Sequence, residues 1–169
     1  LICAGTLCEM TRGQLASAEY VKTLVDGFGG TAILPALFML IACFISFSTG
    51  TSWGTFGILL PIVLTVFDVG DPLMVIGVSA CLAGSVFGDH CSPISDTTIM
   101  SSAGAQCNHI EHVSTQTPYA IIVAAISFVF FLIAGFWQSF AVTAAGMIAT
   151  AAVFYILKKT KGRASQEAS

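Results

Sequence analysis

Charge is scarce in this chain. Asp, Glu, Lys and Arg together make up 9% of its 169 residues, and none of the six Lys and Arg residues falls within an apolar segment. A net charge of −3 and a sequence pI near 5.4 leave no basic patch, which excludes nucleic acid as a partner. The glycine-rich phosphate loop of nucleotide-driven pumps is missing as well. Six cysteines are present (Cys3, Cys8, Cys43, Cys81, Cys91 and Cys107), but none forms a C-x-x-C pair. Several sit in apolar runs, where Cys acts as a small hydrophobe, so a zinc or disulfide framework is not expected. The opening "LICAGTLCEM" has no starting Met, basic stretch or cleavage site, and reads as the end of an earlier apolar segment of a longer chain.

What remains is hydrophobic. Apolar residues account for 56% of the chain and the mean hydropathy is +0.89, the composition of an integral membrane protein. Residues 1–8 read as the end of a spanning helix. Residues 12–28 place Leu15, Ala18, Val21, Leu24, Val25 and Phe28 at spacings of three and four, which predicts an amphipathic helix along the membrane surface. Residues 31–67 are too long for one straight span, since about 20 residues cross a bilayer core. They are interrupted at "SFSTGTSWGTFG", residues 46–57, either as a re-entrant hairpin or as one helix unwound in the middle. Residues 73–103 form a second long apolar segment, broken by "GDHCSPISD" (Gly88 to Asp96), where Gly88 and Pro93 are the expected breakers. A polar loop is expected at 101–116, and spanning helices at 117–137 and 140–157. Lys158, Lys159, Lys161 and Arg163 follow the last span, so the tail at 158–169 is expected in the cytoplasm.

Backbone that leaves a helix at membrane depth is tolerated only inside protein or beside water. Two such interruptions in one chain are the best sequence pointer to a transporter's binding site. The first carries Ser48, Thr49, Thr51 and Ser52; the second carries Asp89, Ser92, Ser95, Asp96 and Thr97. Hydroxyls, freed carbonyls and carboxylates are hard oxygen donors suited to Na⁺. A carboxylate in a membrane segment is costly, so Asp89 and Asp96 are the leading ion-binding candidates. In low dielectric such a group can carry a proton when no cation is bound, which couples the two ions by competition. Asp96 can alternatively cap the helix that follows it. His90 is a candidate proton relay or a structural partner of a carboxylate. His109 and His112 read as part of a solvated loop, with a zinc site or a pH sensor as lesser alternatives. Trp53 either shapes a cavity or packs as an ordinary aromatic.

"STGTSWGTFGILLPI" (Ser48 to Ile62) and the stretch from Ser79 to Ala120 resemble the NhaC family of Na⁺/H⁺ antiporters. The resemblance implies an all-α integral membrane fold: half of an inverted-repeat transporter, with a re-entrant hairpin at 31–67 and a broken transmembrane helix at 73–103. It places the hairpin tip at Ser48 to Thr55 and the break at Gly88 to Asp96. It also implies a homodimer in a bacterial inner membrane and a missing N-terminal half that completes the site. The function expected is secondary antiport of Na⁺, or Li⁺, against H⁺, with no cofactor and only the ions and the lipid bilayer as partners. The alternative is a Na⁺- or H⁺-coupled organic-acid or amino-acid exchanger such as a malate/lactate antiporter. Against that alternative stands the lack of a membrane-buried Lys or Arg to neutralise an organic anion, although helix N-termini can substitute. An intramembrane enzyme is disfavoured because a protease would normally place its aspartates on separate, otherwise intact helices, and a structural subunit because it would not need two costly polar breaks.

Overall fold

The computed structural model describes residues 30–67 and 70–167, which are helical with no strand among them. The expected helix end at 1–8 and surface helix at 12–28 lie outside the described residues. A 3-10 turn, Thr31–Ile33, leads into α1 (Leu34–Thr49), α2 (Ser52–Val66), α3 (Pro72–Cys91), α4 (Asp96–Gly104), α5 (His109–Phe136) and α6 (Phe140–Glu167).

The helix ends have local causes. α1 stops at Gly50, whose φ of 67° and ψ of 26° lie in the left-handed region that glycine adopts without strain. Thr51 is extended and starts α2, its hydroxyl accepting the Gly54 N–H. The Asp71 carboxylate accepts the Leu73 N–H at 2.8 Å ahead of α3, and Pro72 supplies the preset φ of a first helical residue. Asn108 accepts from Ile110 and Glu111 to open α5.

Residues 31–67 double back as a helical hairpin with its tip at Gly50–Thr51. Phe38 near the start of α1 and Phe67 just past α2 have ring centroids 6.2 Å apart, which one continuous unwound helix would not allow. α3 and α4 are the two halves of a broken helix, but the break is narrower than the sequence implies, Ser92 to Ser95. Gly88 lies inside α3 and is a packing residue, not a breaker. A Cβ on Gly88 would strike the Cys43 carbonyl, and one on Gly84 the Met39 carbonyl. The small residues of "GSVFG" thus let the backbones of α1 and α3 touch, as small-xxx-small faces do in membrane bundles. The polar loop expected at 101–116 shrinks to 105–108. The Asn108 cap allows the polar residues His109 to Gln116 to form the first turns of α5.

α1, α2 and α3 enclose the core, with Leu34, Phe38, Ala42, Leu59, Val63, Leu73 and Cys81 buried among them. α5 braces α1 and α3 from outside. Its outward face, with Ile121, Val129 and Ile133, is apolar and exposed. Thr31–Thr49, Pro72–Cys91 and His109–Phe136 are long and apolar enough to cross a membrane, whereas Ser52–Val66 and Ala141–Ile156 are shorter apolar helices. The chain is an all-α membrane protein.

Candidate functional site

The hairpin tip and the helix break meet. A Cβ on Gly50 would lie 2.9 Å from the Ile94 carbonyl oxygen, so the tip of one element rests on the backbone of the other. Four helix ends converge there: the carbonyl ends of α1 and α3 and the amide ends of α2 and α4. Carbonyl ends favour cations and amide ends favour anions.

Asp89, in the last turn of α3, occupies the junction and is 2% exposed. Its partners are hydroxyls drawn from both interruptions. Ser95 Oγ donates to Oδ1 at 2.7 Å, Thr97 Oγ1 lies 3.2 Å from Oδ2, and Ser52 Oγ lies 3.4 Å from Oδ2. Ser95 and Thr97 also face each other at 2.7 Å. Each hydroxyl has a single proton. Thr97 must therefore divide its proton between Ser95 and Asp89, which leaves Oδ1 firmly held and Oδ2 with only long contacts. No lysine or arginine lies between Lys22 and Lys158 to neutralise the carboxylate, and among the described residues no histidine hydrogen-bonds it.

Ser92, the first residue past α3, is fully buried. Its Oγ is the one buried side-chain polar atom among the described residues without a hydrogen-bond partner. Orphaned buried hydroxyls are uncommon in folded proteins. Its backbone is satisfied: the carbonyl accepts from the Ser95 N–H and from Thr98 Oγ1 at 3.0 Å. Beneath the junction, the buried Ser46 hydroxyl donates to the Ser85 carbonyl and ties α1 to α3.

The structure thus gathers Asp89, Ser92, Ser95, Thr97 and Ser52 from the residues singled out in the sequence. The others stand apart. Asp96 is exposed at the first position of α4, where its carboxylate accepts the Thr97 N–H at 2.8 Å. Ser48 and Thr49 are exposed on the last turn of α1, the Thr49 hydroxyl donating back to the Ile45 carbonyl. Thr51 serves as the cap of α2. His90 is turned onto its own helix, with Nδ1 donating to the Val86 carbonyl at 2.9 Å, and shares no hydrogen bond with Asp89. Trp53 is 82% exposed and meets only Phe56 edge-on at 5.9 Å.

Two contacts to the break come from α5 and carry no sequence signal. His109 Nε2 lies 2.7 Å from the Pro93 carbonyl, and Gln116 Nε2 donates to the His90 carbonyl at 3.1 Å. Both partners are backbone groups far away in sequence, which no motif reports.

Comparison with known proteins decides the class. The model of the Na⁺/H⁺ antiporter family matches residues 1–136, which include the hairpin, the break and all of α5. The chain belongs to the Na⁺/H⁺ antiporter family. It is 44% identical over 152 residues to an uncharacterized protein of Haemophilus influenzae, covering 87% of this chain and 29% of that one. It is 32% identical over 129 residues to the malate-2H⁺/Na⁺-lactate antiporter of Bacillus subtilis, covering 73% of this chain and 27% of that one. An uncharacterized Na⁺/H⁺ antiporter of Haemophilus influenzae is 34% identical over 111 residues, 61% of this chain and 24% of its own length. The chain therefore spans less than a third of the relatives it matches. No solved structure matches it.

Proposed function

We propose that the protein containing this chain is a secondary antiporter that exchanges Na⁺, or Li⁺, for H⁺, with Asp89 taking either ion in turn. The observation that carries this reading is a buried carboxylate without a basic partner, placed where both helix interruptions meet. Oδ2 of Asp89, held only by long contacts to Ser52 and Thr97, is the oxygen free to accept a proton or a cation. Ser52, Ser95 and Thr97 can rotate their hydroxyl protons away and offer lone pairs to a hard cation. Ser92 Oγ, unpartnered and fully buried, is a further oxygen of the same kind. A cation and a proton would then compete for one carboxylate, and competition is sufficient to couple their movements in opposite directions. Asp96 contributes at a distance, through the amide end of α4.

In this reading the hairpin is re-entrant and the chain is one repeat of an inverted pair. The absent N-terminal half completes the site. The protein sits in a bacterial inner membrane as a homodimer, with its C-terminal tail in the cytoplasm. The Lys and Arg cluster after residue 157 supports that orientation.

A second reading has a specific observation behind it. The Bacillus subtilis relative is named for exchange of malate and lactate together with H⁺ and Na⁺. Exchange of an organic anion would use the amide ends of α2 and α4 to receive its carboxylate.

Flux in proteoliposomes of the full-length protein tests both. A Na⁺ gradient should drive proton movement without organic acid, and the Asp89→Asn variant should insert normally yet lose that movement. Proton movement that requires malate or lactate in the lumen would favour the second reading. Near-normal exchange by Asp89→Asn would sink competition at this carboxylate.

A further inference from the structure

The break between α3 and α4 has four residues, and each is held by a separate tie. Ser92 N–H donates to the Asp89 carbonyl, Ile94 rests on Gly50, and Ser95 Oγ donates to the Asp89 carboxylate. The tie at Pro93 is different, because its donor is titratable. His109, the first residue of α5, puts Nε2 2.7 Å from the Pro93 carbonyl and Nδ1 3.1 Å from Ser102 Oγ in the last turn of α4. One imidazole thus pins the break to the half-helix that follows it.

Elementary valence fixes the proton on one nitrogen. A carbonyl only accepts, so Nε2 must carry its hydrogen. In neutral His109, Nδ1 is then an acceptor and takes the Ser102 hydroxyl proton. In the imidazolium, Nδ1 donates to Ser102 Oγ, and the serine proton turns to the Ile99 carbonyl, which lies 2.9 Å away. The clasp persists in both states, but its strength differs. The charged donor makes a hydrogen bond roughly twice as strong as the neutral one. The ionisable groups on the surrounding elements are Asp89, His90 and Cys91 on α3, Asp96 on α4, Cys107 in the connecting turn, and Glu111 and His112 on α5. None of them hydrogen-bonds the His109 ring.

We propose that His109 is a positioning residue for the Asp89 site: it clamps the Pro93 segment, tightly when protonated and more loosely when neutral. The rigidity of the break thereby follows pH on the side of the membrane where α5 begins. Ser95, two residues past Pro93 and bonded to Asp89 Oδ1, transmits that rigidity to the carboxylate. Histidine is the side chain whose charge changes nearest neutrality.

Amide hydrogen exchange of the full-length protein in lipid nanodiscs, read on peptides covering residues 90–99, tests the clamp without reference to cargo. Wild type should lose protection, after correction for intrinsic rates, as pH rises and the imidazolium gives up its proton. His109→Gln keeps an amide donor for Pro93 and an acceptor for Ser102, so it should hold intermediate protection with no pH step. His109→Ala should expose the break by about tenfold at acid pH. Identical pH courses in wild type and His109→Gln would overturn the proposal, and so would unchanged protection in His109→Ala. The proposed effect on transport rests on the Asp89 reading, and parallel ²²Na⁺ flux separates the two. His109→Ala should raise the KM for Na⁺, and His109→Gln should restore it. Absence of Na⁺ flux in wild type would count against Asp89 as the exchange site, while hydrogen exchange would still decide for or against the His109 clamp.

Discussion

The hairpin tip and the helix break do the same geometric job, turning a chain inside an apolar bundle, by opposite means. The tip satisfies itself. Gly50 N–H returns to the Ser46 carbonyl at 2.8 Å, Thr51 caps its own helix, and Thr55 and Thr49 donate to carbonyls four residues back. The break relies on others. Asp89 binds Ser95 from α3, His109 holds the Pro93 carbonyl from α5, and Ser52 and Gln116 hold the last turn of α3 beside it, at Asp89 and His90. A turn closed by its own residues is stiff whatever surrounds it. A turn closed by distant groups is as stiff as those groups allow, and its shape can change when one of them gains or loses a proton or an ion. On this contrast the break is expected to be the more adaptable half of the junction and the hairpin tip the stiffer one.

Substitutions can break or sharpen this contrast. Asp89→Asn should have the largest effect on function: loss of about 100-fold or more in Na⁺-driven proton movement, with insertion preserved, since the whole coupling charge disappears. Gly50→Val comes next. It puts a β-branched residue at φ 67° and drives its side chain into Ile94. The strain alone costs on the order of 1–3 kcal/mol, so thermal stability in detergent should fall measurably. Ser95→Ala removes the shortest hydroxyl bond to Asp89 and should raise the KM for Na⁺ about tenfold, while Ser52→Ala, at 3.4 Å, should do less. Asp96→Asn should be mildest, about twofold in KM, because that carboxylate is exposed and bonded only to the neighbouring Thr97 N–H. An Asp96→Asn defect as severe as that of Asp89→Asn would invert the ranking and move the site outward along α4.

The fold is legible in the sequence where local chemistry closes it. Gly50, Thr51 and Asp71 sit at helix ends for reasons that glycine conformation and capping explain. Gly88 looks like a breaker because glycine breaks a helix in water but joins helices in a membrane, and only the partner backbone at Cys43 distinguishes the two uses. Residues 109–116 look like a loop because their polarity hides the helix that Asn108 starts. In the site, residue types point to Asp89 with Ser52, Ser92, Ser95 and Thr97. Spacing does not show that Ser48, Thr49 and Asp96 face elsewhere. The contacts from His109 and Gln116 are invisible for a different reason: their partners are carbonyls, which every residue has.

The stretch without a lysine or arginine between Lys22 and Lys158 has an electrical consequence. In the proposed reading the Asp89 site is neutral when it carries H⁺ or Na⁺; emptied, it carries a full negative charge with no lysine or arginine of this stretch beside it. Exposing that bare charge to a low-dielectric path costs several kcal/mol even after the surroundings relax. In the proposed cycle the return of the empty site is thus the forbidden step, and both loaded crossings are allowed. A lysine beside Asp89 would neutralise the empty site and let it slip back unloaded, turning an exchanger into a leak. In that cycle, the absence of a lysine or arginine from this stretch would help keep the two ion fluxes locked together.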